Sequence, residues 1–130
     1  MNVHNLTMIG RILMAVLFLV AAYRKITAYA GTAAYFTKLG FPAPEAMVAV
    51  AIVIELIGGI ALLTGYRLRQ VVWLLILFIV IGTFMAHRFW EFDAAQLGNQ
   101  LNHFIKNLAI IGGLLWIRID PEKGLAQEKC

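Results

Sequence analysis

Apolar residues gather into four long runs along this chain, separated by shorter polar stretches. The runs predict helices over residues 6–25, 46–65, 71–89 and 103–118. Each is close to the roughly 20 residues that carry an α-helix across a bilayer. A helix is also the form that satisfies its own backbone in hydrocarbon. Within the first loop, Thr32–Lys38 is amphipathic: Tyr35, Phe36 and Leu39 can dip into the interface while Lys38 meets water. Gly40-Phe41-Pro42-Ala43-Pro44 then sets the entry into the second run. Tyr66-Arg67-Leu68-Arg69-Gln70 makes a tight hairpin, and the third loop, Trp90–Asn102, carries Glu91 and Asp93. The expected fold is an all-α membrane protein. Its architecture is a four-transmembrane-helix bundle with a short amphipathic helix in the first outer loop, one domain over residues 1–130.

Composition sharpens this reading. Of the 130 residues, 62% are hydrophobic and 14% charged, against about 45–50% and about 25% in ordinary soluble domains. A domain this small buries too little of its surface to hide so much apolar side chain in water. The mean hydropathy of +0.81 agrees. Soluble enzymes, disulfide scaffolds and disordered regulators are thereby excluded, and the lipid bilayer is the expected surrounding. The first run has a signal-peptide outline, with Arg11 ahead of apolar residues. It exits through Tyr23-Arg24-Lys25 without a small-x-small cleavage site, so it reads as a retained span.

The net charge is +4, but the cations are scattered singly and form no stripe of the kind nucleic acid needs. No nucleic-acid partner is expected; anionic lipid head groups are the fitting counter-charge. Arg67 and Arg69 in so short a hairpin place it in the cytoplasm by the Lys/Arg bias of loops. Both termini then lie there too, in keeping with Arg118, Lys123 and Lys129. The expectation is a multi-pass membrane protein with both termini in the cytoplasm. The single cysteine, Cys130, is the last residue, so it has no partner for a disulfide or a CxxC pair, and it cannot form a prenylation box. The chain has no serine, which removes serine nucleophiles.

Charges inside spans cost about 2.5–3.5 kcal/mol each on insertion scales, so those retained carry information. Arg11, Phe18 and Lys25 recur at intervals of seven, within roughly 40° of one stripe of the first helix. Glu55 is the one charge in the second span, followed by Gly58 and Gly59, which make a smooth strip for close helix approach. Thr83, His87 and Trp90 share a face of the third, and His103, Lys106, Asn107 and Ile110 a face of the fourth. Turning all four polar faces inward predicts an interior cluster of Lys25, Glu55, His87, Lys106 and Asn107, with Arg11 deeper. Fixed cations outnumber the lone carboxylate there, which invites an anion or a carbonyl-bearing ligand. The ligand-binding candidates are Lys25, Glu55, His87, Trp90, Lys106 and Asn107, with Arg11 and His103 secondary.

Each has a bland counterpart. Glu55 paired with a cation fixes helix register. Lys25 and Lys106 can snorkel to the interface. His87 and His103 fit an aromatic belt. Two histidines make a thin donor set for haem iron or a metal ion, and no metal site is assigned.

Gly10-Arg11-Ile12-Leu13 with the run to Tyr23-Arg24-Lys25-Ile26, Leu39-Gly40-Phe41-Pro42, Glu55-Leu56-Ile57-Gly58-Gly59 and Gly65-Tyr66-Arg67 stand in order along the chain. His87-Arg88-Phe89-Trp90, Phe104-Ile105-Lys106-Asn107-Leu108-Ala109 and Gly112-Gly113 follow. This ordered set resembles the DoxX family of small four-helix membrane proteins over nearly the whole chain. The resemblance implies a bacterial inner-membrane location and a link to quinone-coupled oxidation, since the family takes its name from a subunit of such a system. Under that reading Lys25, Lys106 and Asn107 would donate to quinone carbonyls. His87 or Glu55 would trade protons, and Trp90 and Phe104 would pack on the ring. A small oxyanion would suit the same cations. The chain has no dithiol, flavin signature or cluster-binding cysteine set, so a redox role calls for a partner subunit. The other reading is a non-catalytic assembly or structural module, as a homo-oligomer or accessory subunit, with the polar cluster as packing core. Transport fits less well, because all three prolines lie outside the spans.

Overall fold

In the computed structural model, which describes residues 1–118, α1 runs over Val3–Thr27, α2 over Tyr29–Lys38, α3 over Pro44–Thr64, α4 over Leu68–Ala86 and α5 over Ala94–Arg118. A single 3-10 turn, Phe89–Glu91, joins α4 to α5. Among the described residues there is no strand. Cys130, Lys123 and Lys129 lie outside the described residues.

The four long helices pack in the cyclic order α1, α3, α4, α5, with α5 returning to α1, while α2 lies against α3 and α1. Chain direction alternates round this ring, so it has two distinct ends. The hairpin end gathers the start of α1, the α3–α4 turn and the end of α5. The α2 end gathers α2, the start of α3, the 3-10 turn and the start of α5.

Many of the inward positions are small residues, and many large apolar residues face outward. Ala15, Ala22, Ala51, Gly58, Gly59 and Ala61 are buried, while Leu13, Val16, Val53, Ile60, Leu77 and Trp116 are exposed. That is the pattern of helices whose outer surroundings are as apolar as their core. Close approach matters most at Gly58 and Gly59. A Cβ at Gly58 would collide with Leu75 of α4, and one at Gly59 with Leu19 of α1. Phe18, Leu62, Val72, Leu75 and Leu114 fill the remaining interior.

Three segments, Val3–Thr27, Pro44–Thr64 and Leu68–Glu91, are long and apolar enough to cross a membrane. α5 is as long as α1, but polar residues crowd its first half. It also begins earlier than the hydropathy suggests, at Ala94 rather than His103. The cause is local: Asp93 Oδ1 accepts from the Gln96 backbone N–H at 3.1 Å, starting the helix inside the polar segment. The amphipathic loop helix is also longer than expected, starting at Tyr29. Tyr29 donates its hydroxyl to the Glu45 carbonyl and Tyr35 donates to that of Ala86. These two bonds tie α2 to the α3 start and the α4 end.

Candidate functional site

The polar residues form three separate groups rather than one interior cluster. At the hairpin end, Arg11 Nε donates to the Leu62 carbonyl at 2.8 Å and Nη2 to Leu63 at 3.3 Å. These are among the carbonyls left without partners where a helix ends. The cation also faces the negative end of the α3 dipole. Gly65 follows in the left-handed region (φ 79°), and a side chain there would collide with the Arg11 guanidinium. Arg11 is therefore the cap of α3.

Midway along, Lys25 Nζ of α1 meets Glu55 Oε1 of α3 at 2.8 Å. The Glu55 side chain is 5% exposed and that of Lys25 23%. Glu55 Oε2 is buried with no hydrogen-bond partner among the described residues. The pair sits one turn from Gly59, where α1 packs closely on α3 through Leu19 and Ala15, so it locks the register of α1 on α3.

At the α2 end, α4 and α5 share a neutral polar seam. Asn107 Nδ2 donates to Thr83 Oγ1 at 2.8 Å, and Thr83 donates onward to the Ile79 carbonyl at 2.7 Å. His87 Nδ1 lies 2.9 Å from Gln100 Oε1. An amide oxygen only accepts, so this bond needs the proton on Nδ1 and leaves Nε2 as an acceptor. The His103 ring stacks on that of His87, centroids 4.7 Å apart and planes 15° from parallel. Beside them Phe84, Phe89, Trp90 and Phe104 make an edge-to-face aromatic wall, with Phe104 at 5.9, 5.3 and 6.2 Å from the other three.

The structure thus brings His87, His103 and Asn107 together on one seam with Trp90 at its edge. Lys25 and Glu55 stand apart on another seam. Lys106 is exposed and makes no bond to the seam among the described residues. Adjacent helical residues diverge by about 100°, so only one of Lys106 and Asn107 can face α4. Asn107 does, because Thr83 offers its amide a partner. Gln100 was missed by sequence reasoning, which placed it in a loop. The Asp93-x-x-Gln96 capping signal would have put it on α5. No group of three or more His, Cys, Asp or Glu capable of holding a metal occurs among the described residues. An open cavity of about 390 Å3 lies between α1 and α5, lined by Gly10, Leu13, Met14, Leu17, Ala109 and Ile110. Its wall is apolar, and none of the polar residues of the three groups lines it.

The sequence profile of the DoxX family matches residues 6–88. The chain is similar to the inner membrane protein YqjF of Escherichia coli K12, with 37% identity over 112 residues. That match covers 86% of this chain and 81% of the relative. It is similar also to the inner membrane protein YphA of the same organism, with 29% identity over 115 residues, covering 88% and 81%. No solved structure matches the chain.

Proposed function

The chain belongs to the DoxX family, and on that footing we propose an inner-membrane, ligand-binding accessory component of a membrane redox system that receives a quinone head group on the α4–α5 seam. The names of YqjF and YphA support the location. In this reading α5 is the fourth span. Its 25 residues reach about 37 Å at 1.5 Å each, enough for a hydrocarbon core about 30 Å thick. Its polar side chains Gln100 and Asn107 turn to α4, while Leu97, Leu101, Ile105 and Leu108 are exposed as a lipid-facing stripe. The Arg67–Arg69 hairpin and both termini face the cytoplasm, so the seam opens at the outer side.

One observation carries the ligand reading: the stacked His87–His103 pair keeps ring nitrogens without partners among the described residues, beside an aromatic wall. A quinone head group is planar and bears two carbonyls. The wall formed by Trp90 and Phe104 would pack on its ring, His103 would donate to a carbonyl oxygen, and His87 Nε2 would accept the proton of the quinol hydroxyl. Lys106, exposed at the rim, adds positive charge for a carbonyl or small oxyanion. The chain's own residues bind and exchange protons, and a partner subunit takes the electrons.

The experiment is mass spectrometry of small molecules extracted from protein purified in mild detergent. Stoichiometric quinone is expected with the wild-type chain and its loss with His87→Leu or Asn107→Leu. No enriched molecule in the wild type would favour the packing-module reading. That second reading has its own support, because Arg11 and the Lys25–Glu55 pair both hold α3 in place.

A further inference from the structure

Charge is divided unequally between the two ends. Among the described residues, the α2 end mixes Arg24, Lys38, Arg88 and Lys106 with Glu45, Glu91 and Asp93, and Arg88 is 3.2 Å from Glu91. The hairpin end has Arg11, Arg67, Arg69 and Arg118 and no carboxylate among the described residues. Arg11 is committed to capping α3. The Arg67 guanidinium lies 5.7 Å from the Tyr66 ring centroid.

The Arg118 guanidinium lies 4.8 Å from the centroid of Trp73, so α5 ends against the first turns of α4. Its Nε is buried and has no hydrogen-bond partner among the described residues. A guanidinium stacked on an indole keeps its in-plane donors directed sideways, the geometry that receives two oxygens of a phosphate. Arg69 stands one turn before Trp73 on the same face of α4, and Leu77 one turn after it. Trp73 is 48% exposed and Leu77 57%. The first turn of α4 has no acidic residue and no side-chain cap, so its free amides add positive potential.

We infer that this corner, formed by Arg69, Trp73 and Arg118, seats the phosphate of an anionic phospholipid. Down one face of α4 the order is cation, amphipathic aromatic, exposed aliphatic. A phospholipid standing in the leaflet presents phosphate, glycerol and acyl chain in that same order. Arg69 and Arg118 hold the phosphate, Trp73 packs at the glycerol level, and Leu77 lies along the acyl chain. Charge complementarity selects an anionic lipid over a zwitterionic one, whose own cation would meet the two arginines of the corner. The seat is at the opposite end from the proposed quinone seam and stands whether or not that seam binds anything.

The test is native mass spectrometry of the full chain in mild detergent, titrated separately with phosphatidylglycerol, phosphatidylcholine and inorganic phosphate. Phosphatidylglycerol should bind in preference to phosphatidylcholine. Arg69→Gln with Arg118→Gln should weaken it roughly tenfold or more, while Arg24→Gln with Arg88→Gln should change it less than about twofold. Should the double variant fail to fold, Arg118→Lys keeps the charge but loses the fork and the stacking; it should still weaken binding by a factor of about three. Equal binding of phosphatidylcholine, or unchanged phosphatidylglycerol binding in the corner variants, would overturn the inference. So would competition by millimolar inorganic phosphate, which would make the seat an ion site. Asp120, Glu122 and Glu128 follow Arg118 in the sequence. Phosphatidylglycerol binding that emerged only after Asp120→Asn, Glu122→Gln and Glu128→Gln would give the corner to the chain's own carboxylates and overturn it as well.

Discussion

The α1–α3 and α4–α5 seams solve the same problem with different chemistry. Across the first, a lysine and a carboxylate pair at 2.8 Å one turn from Gly59, which admits Leu19. Across the second, an amide, a hydroxyl and two imidazoles meet without fixed charge, and an aromatic wall replaces the glycine. A buried ion pair punishes any change of register, because separating the charges strands one in hydrocarbon. A neutral seam tolerates small adjustments and keeps nitrogen atoms available to a third party. Under the proposed function, the first seam chiefly supplies stability and the second is where a ligand would be recognised.

The comparison breaks first at Glu55. Glu55→Ala would leave Lys25 unpaired and cost about 3–5 kcal/mol, read as a large fall in the melting temperature in detergent. An unchanged melting temperature would take the pair out of the account of α1 packing. Gly59→Leu should come next, since even a Cβ there meets Leu19; overpacking of this kind costs about 1–3 kcal/mol. Replacing Leu19 by alanine in the same chain should recover part of that loss. If the two substitutions simply add, the helices are not in close contact at Gly59.

Arg11→Ala removes a charged donor from the last carbonyls of α3 and should cost about 1.5–3 kcal/mol at most. Faster amide exchange at the hairpin, with exchange at the α2 end unaltered, would mark it as a cap. The smallest effect belongs to the neutral seam. Thr83→Val leaves the Asn107 amide without its acceptor, and hydrogen bonds between membrane helices average about 0.6 kcal/mol in double-mutant cycles. A cycle with Asn107→Leu should return a coupling of that size. A coupling as large as that of the ion pair would erase the distinction between the seams.

Much of this was legible in the chain because membrane helices advertise themselves by long apolar runs, and costly charges are kept for a reason. Lys25 and Glu55 could be singled out on those grounds alone. What periodicity does not carry is the register between helices. It gave Arg11 and Lys25 a common stripe, yet one caps α3 at the hairpin and the other pairs with Glu55 midway along. It placed Lys106 and Asn107 together, although α4 receives only Asn107. Hydropathy also hid Gln100. The first turns of α5 are polar, and their helical state depends on the Asp93 cap rather than on apolar content.

The central claim, that the neutral seam recognises a ligand while the charged seam holds the fold, is tested most directly by titrating a short-chain quinone into three detergent-purified proteins. These are the wild type, Glu55→Gln and His87→Leu, followed by tryptophan fluorescence with thermal stability measured in parallel. The account predicts that Glu55→Gln melts earlier but binds within about twofold of the wild type. His87→Leu should keep its melting temperature and lose roughly tenfold or more in affinity, about 1.4 kcal/mol. Loss of binding in Glu55→Gln with full binding in His87→Leu would contradict it, moving recognition to the α1–α3 seam.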